Sequence, residues 1–121
     1  MCIVDKEFYL APEDLTVWKV VRANGYGGFV SQYAPENRTP ISGFYLGDGQ
    51  CLVYRKGDIV RSPAGPGIMA YVNRDPSLPQ SIFCVLIELR IPKGTVCRNG
   101  WDDTGAKDRR IICAQQVEVI G

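Results

Sequence analysis

The sequence predicts an α+β domain in which strands dominate: a single twisted antiparallel or mixed sheet, or a partly open barrel, with one or two short helices. Three observations carry this reading. Thirteen glycines and eight prolines punctuate the chain at short intervals. The stretches between them are rich in β-branched and aromatic residues, which favour extended, pleated backbone. No window sustains the helical repeat of about 3.6 residues beyond a turn or two. At 121 residues and 13.4 kDa the chain has the size of one domain, so residues 1–121 are read as a single unit.

Each element follows from local pattern. Pro12, Glu13 and Asp14 suit the first turn of a short helix, where a missing N–H costs nothing and acids meet the positive end of the helix dipole. Thr16–Arg22 is the first strand, with Trp18, Val20 and Arg22 alternating against Val17, Lys19 and Val21. The glycine-rich turn Gly25-Tyr26-Gly27-Gly28 leads to Phe29–Tyr33, and a polar loop (34–40) to Ile41–Leu46. Cys51–Tyr54 is a further strand, closed by a turn at Lys56-Gly57-Asp58. Two prolines make Ser62–Gly67 an irregular loop that delivers the buried strand Ile68–Val72. Asp75 then caps a single helical turn with Pro76 at its first position.

Ser81–Ile91 is the strongest strand. Its first half is apolar on both sides, as a central strand requires, and its second half alternates Ile87, Leu89 and Ile91 against Glu88 and Arg90. Pro92-Lys93-Gly94 ends it, and Thr95–Cys97 adds a short edge. Arg98–Arg109 reads as a polar loop holding Trp101, Asp102 and Asp103, before a closing strand from Arg110 to Ile120.

Composition narrows function mainly by exclusion. There is no histidine, so Ser-His, Cys-His and metal-imidazole chemistry is closed to the chain on its own. Fourteen basic residues stand against thirteen acidic ones, six and seven up to position 60 and eight and six after it. Neither half is a polycation, which disfavours non-specific nucleic-acid binding. The N-terminal run turns charged at Asp5, Lys6 and Glu7, so no secretory leader is expected. The longest apolar run, Ile82–Ile87, is far short of the roughly 20 residues a membrane span needs. The expected compartment is the cytoplasm, with no membrane partner. Five cysteines lack any CxxC spacing, so neither zinc nor a disulfide framework is expected, and Cys84 and Cys113 read as small buried hydrophobes.

Several residues could grip a partner. Gly25–Gly28 reads as a tight hairpin or as a nest of N–H groups for phosphate. Arg55, Lys56, Arg61 and Arg74 flank the Ser62–Gly67 loop, with Tyr54 and Tyr71 ending the adjoining strands. Guanidinium groups beside aromatic rings suit a phosphorylated or planar ligand. Trp101 reads as an interface anchor if exposed, or equally as a lid folded back on the core. The binding residues expected are therefore Tyr26, Arg55, Arg61, Tyr71, Arg74 and Trp101. Gln116 and Glu118 lie two apart on a strand and so share a face.

The order of blocks resembles small ADP-ribosyltransferase-type domains. The similarity rests on the early strand ending in Arg22, the Arg61-Ser62 segment, the strand Gly67–Val72, the stretch Val85–Val96 with its Ile-Pro-Lys-Gly, and Gln116-x-Glu118. The resemblance implies NAD as cofactor and a site of Arg22, Ser62, Gln116 and Glu118. Glu118 would stabilise an oxocarbenium-like transition state and Gln116 would orient the acceptor. The family's Ser-Thr-Ser element is missing, and no histidine marks the first strand. The chain also looks like the small orphan proteins that bacteriophages encode to block a host component.

Three readings follow. The first is a non-enzymatic binding protein, without cofactor, that inhibits a host protein or sequesters a small nucleotide-like ligand. The second is the NAD-using enzyme. The third is an assembly subunit that forms a homo-oligomer through exposed strand edges.

Overall fold

The computed structural model describes residues 2–23, 28–31, 52–63, 65–78, 84–102 and 109–121. They form ten strands: β1 (Cys2–Val4), β2 (Tyr9–Leu10), β3 (Leu15–Ala23), β4 (Phe29–Ser31), β5 (Ile59–Arg61), β6 (Ile68–Tyr71), β7 (Cys84–Ile91), β8 (Val96–Asp102), β9 (Arg109–Ala114) and β10 (Gln116–Val119). All belong to one antiparallel sheet in the order β1-β8-β9-β6-β3-β7-β10-β5, with β2 beside β8 and β4 beside β3. The sheet is not closed, and the mostly-β expectation holds at this level. Among the described residues no helix is present, and none is long and apolar enough to cross a membrane.

The centre is the ladder between β3 and β7, which runs unbroken from Leu15↔Ile91 to Arg22↔Cys84. Alternation along both strands sends Val17, Val21, Ile87, Leu89 and Ile91 to one face, where all are buried. Each contributes about 1.5–3 kcal/mol by leaving water. The same face collects Cys97, Ile112, Ala114, Ile68, Ala70, Tyr54, Val60, Val117 and Val119. Strands from both ends of the order meet in this core, so the sheet curls around it. The opposite face carries a smaller cluster of Val20, Tyr71, Ile111 and Cys113, against which Val4, Met69, Leu78, Cys84 and Leu86 pack.

The curl has a covalent cause. Arg110–Ile120 is not one strand but two, bent at Gln115. Before the bend, β9 pairs with β6 and β8; after it, β10 pairs with β7 and β5. Gln115 pins the corner: its N–H donates to Val96 O at 3.0 Å, its carbonyl accepts from Ser62 N at 2.8 Å, and its side-chain amide donates to Ser62 O at 2.6 Å.

Other departures have equally local reasons. The expected loop from Arg98 is strand as far as Asp102, because the whole run pairs with β9 in an unbroken ladder from Cys97↔Ala114 to Asp102↔Arg109. The expected helical turn at Pro12 is a bend, since Ala11 is held in the β8 ladder by its N–H on Thr95 O. At Asp75 the cap forms: Oδ1 accepts from Ser77 N at 3.0 Å and from Ser77 Oγ at 2.6 Å, but only a turn follows. Cys51–Tyr54 contributes, among described residues, just the bridge Phe29↔Tyr54. Val85 is 42% exposed and Cys84 half-buried, so the first half of β7 is not covered on both sides. Cys113 is buried as expected, and Cys97 is buried as well. Gly94 ends β7 at a positive φ of 84°, as its turn requires.

Lys19 lies on the core face and is buried. On that side β3 meets β6 only at Trp18↔Tyr71, and β4 takes over from Val21 to Ala23. Lys19 fills the fork between them, its Nζ donating to Met69 O at 2.7 Å and lying 5.7 Å from the centre of the Tyr54 ring.

Candidate binding face

Registers place the candidate residues in rows on the face opposite the core. One row runs Tyr71 (β6), Trp18 (β3), Glu88 (β7). The next runs Thr16 (β3), Arg90 (β7), Glu118 (β10), Ile59 (β5). Beyond it Gln116 stands opposite Arg61.

Trp18 is half-buried, and the guanidinium of Arg74, from the turn after β6, lies 5.6 Å above its ring. Arg74 itself is exposed and has no carboxylate partner among the described residues. The cation sits within cation–π range of the indole on a side chain otherwise open to solvent. The turn that carries it is anchored: Asp75 Oδ2 accepts from Arg109 Nε at 3.2 Å. Hydrogen bonds from Ser77, first from its hydroxyl and then from its backbone, hold the Asp75 carboxyl below its ordinary pKa, with Arg109 adding to the effect.

Elsewhere on the face two of the cations are engaged. Arg90 Nη1 lies 3.3 Å from Glu118 Oε1, and Arg61 Nε donates to Gln116 Oε1 at 3.1 Å. Tyr71 is buried, its phenol donating to Asp102 Oδ2 at 2.6 Å. It is therefore a support beneath the face and not a contact residue, which corrects its place among the expected ligand groups.

The expected binding residues do not converge. Arg61 and Trp18 are separated by three strand spacings across the sheet, about 14 Å, and by two rows along it, about 13 Å. Arg55 is exposed at the Lys56-Gly57 turn. Trp101 is exposed, but on β8 and on the other face, with Arg110 5.8 Å from its ring. Tyr26 lies outside the described residues. Of the four residues implied by the transferase resemblance, Gln116 and Glu118 share the face as foreseen. Ser62 is buried next to them, beside Gln115. Arg22 is not with them: it pairs with Cys84, six positions along β7 from the Arg90 that faces Glu118, about 20 Å.

Sequence reasoning missed Trp18, Arg90 and Glu88 as members of this face. Their alternation was visible, but which cation would cover the indole was not, because Arg74 comes from a distant turn. Comparison of the chain with family models, with curated proteins and with solved structures returns no match.

Proposed function

We propose that the protein is a non-enzymatic binding module that captures a nucleotide-like ligand, a planar ring bearing phosphate, on the face built around Trp18 and Arg74. The observation that carries this is the exposed guanidinium of Arg74 over the Trp18 indole, a cation that has no carboxylate partner among the described residues. The indole contact restrains the side chain before a ligand arrives, so less side-chain entropy is lost on binding. The N–H fork of Arg74 matches phosphate oxygens in two-point contact. Glu88, directly across from Trp18, supplies an acceptor for ribose hydroxyls or an exocyclic amine and repels phosphate toward Arg74. Binding without turnover is supported by the state of Glu118, whose charge is already engaged by Arg90, and by the distance of Arg22.

The test uses a Trp101→Phe variant, so that Trp18 is the one indole reporting. AMP, ATP and NAD are titrated against its fluorescence, and the recovered nucleotides are analysed. Saturable quenching with nucleotides returned intact is the expected result. Arg74→Ala should weaken binding at least ten-fold, about 1.4 kcal/mol. Absence of any response, or an Arg74→Ala variant that binds as well, overturns the proposal. Consumption of NAD that Glu118→Gln abolishes would replace it with the enzymatic reading.

A further inference from the structure

The other end of the sheet has a different character. The outer edge of β8 is covered by two stubs, β1 and β2, with Asp5–Phe8 between them. Asp5 N–H donates to Asn99 O and Ala11 N–H donates to Thr95 O, both at 2.8 Å. In an antiparallel ladder successive residues alternate between facing the neighbour and facing away. The N–H and C=O groups of Val4 and Leu10 therefore point out of the sheet. An open row of this kind is a template for another strand.

The side chains beside that row are the most exposed large apolar groups among the described residues. Leu10 is 63% exposed and Phe8 59%. Arg98 lies 4.9 Å from the Phe8 ring and donates through Nε to Asp5 O at 2.6 Å, which holds the stretch between the stubs in place. The charges along the edge are balanced, with Asp5 and Glu7 against Lys6 and Arg98. A strongly acidic or basic partner would meet as many like charges as opposite ones. A second copy of this chain, turned antiparallel, brings the acids of each to the bases of the other. The net charge of +1 adds almost no repulsion between copies.

We propose that the protein pairs with itself along this edge, in a two-fold dimer with Leu10 and Phe8 of both copies buried in the seam and the outward main-chain groups of Leu10 in each copy exchanged with those of Val4 in the other, which sets Lys6 of each beside Glu7 of the other. The surface is distinct from the Trp18–Arg74 face, so either proposal stands or falls without the other.

Sedimentation velocity over a dilution series tests the association. A monomer–dimer equilibrium is expected, shifted at least ten-fold toward monomer by Leu10→Lys and unmoved by Arg61→Ala. Leu10→Pro removes only the outward N–H, a change edge strands tolerate, and should weaken the dimer while the circular dichroism spectrum is kept. Zero-length carbodiimide cross-linking of mixed light and ¹⁵N-labelled wild-type protein needs no variant. It should join Lys6 of one copy to Glu7 or Asp5 of the other in mixed-isotope peptides. A wild-type chain that stays monomeric at the highest concentration reached overturns the proposal. So does a dimer indifferent to Leu10→Lys, or one whose cross-links lie elsewhere.

Discussion

The phenol of Tyr71 and the carboxylate of Asp102 meet at 2.6 Å in the interior, joining β6 to β8 across the intervening β9. Both side chains are buried, so the bond is made where water offers no substitute. Tyr71→Phe leaves a buried acceptor short of a donor, which costs about 1–3 kcal/mol. Urea denaturation should show a lower midpoint with an unchanged slope.

Gly67 lies against Ser62. A Cβ at position 67 would sit 2.6 Å from Ser62 Oγ but 3.7 Å from Ser62 Cβ. Gly67→Ala should therefore destabilise by about 1–3 kcal/mol through overpacking. In a Ser62→Ala background the obstructing oxygen is gone, and most of that loss should vanish. A double-mutant cycle by thermal or chemical denaturation reads the coupling directly; additive effects would mean that the clash is relieved in another way.

Asp75 links stability to pH. Its folded pKa is depressed, chiefly by the two hydrogen bonds from Ser77. A depressed carboxyl stabilises the fold above its unfolded pKa, and the contribution is lost as pH falls through the folded value. Asp75→Asn should flatten the acid limb of the stability curve without changing its shape above neutrality. Denaturant midpoints measured across the acid range, wild type against variant, check this.

Two positions on the same face of β7 should respond very differently, because the core covers one and not the other. Leu89 is fully buried, whereas Val85 is 42% exposed. Leu89→Ala should cost about 2–5 kcal/mol, the range for a core leucine that leaves a cavity. Val85→Thr should stay within about 0.5 kcal/mol. Comparable losses at both sites would mean that the core reaches as far along β7 as Val85.

The Arg90–Glu118 pair is partly exposed on both sides, with side-chain accessibilities of 46% and 35%. Its removal by Glu118→Gln should shift stability by no more than about 1 kcal/mol, and by less in high salt. Calorimetry at low and high ionic strength measures it, and the result also certifies that this variant is folded when tested against NAD.

Much of the sheet was legible because alternation is a local property. Val17 and Val21, or Ile87, Leu89 and Ile91, declare a buried face within a single strand, and the turns at Gly57 and Gly94 are written in their own residues. The strand through Arg98–Asp102 was not legible, since its polar side chains are explained only by the neighbours β1 and β9. Nor was the bend at Gln115, which is set by bonds to Val96 and Ser62. The candidate site was readable in part. Gln116 and Glu118 share a face by parity alone, whereas the contact of Arg74 with Trp18 and the burial of Tyr71 depend on which distant segments become neighbours.

The ladder between β3 and β7 has a kinetic consequence. Leu15 must find Ile91, and Arg22 must find Cys84, across the whole middle of the chain. Closing so large a loop precedes any reward from the contacts it brings, which slows folding into the millisecond-to-second range typical of non-local β topologies. Until that search succeeds, Val17, Val21, Leu89 and Ile91 remain wetted and adhesive. The interval before this ladder zips is when the polypeptide is most prone to aggregate.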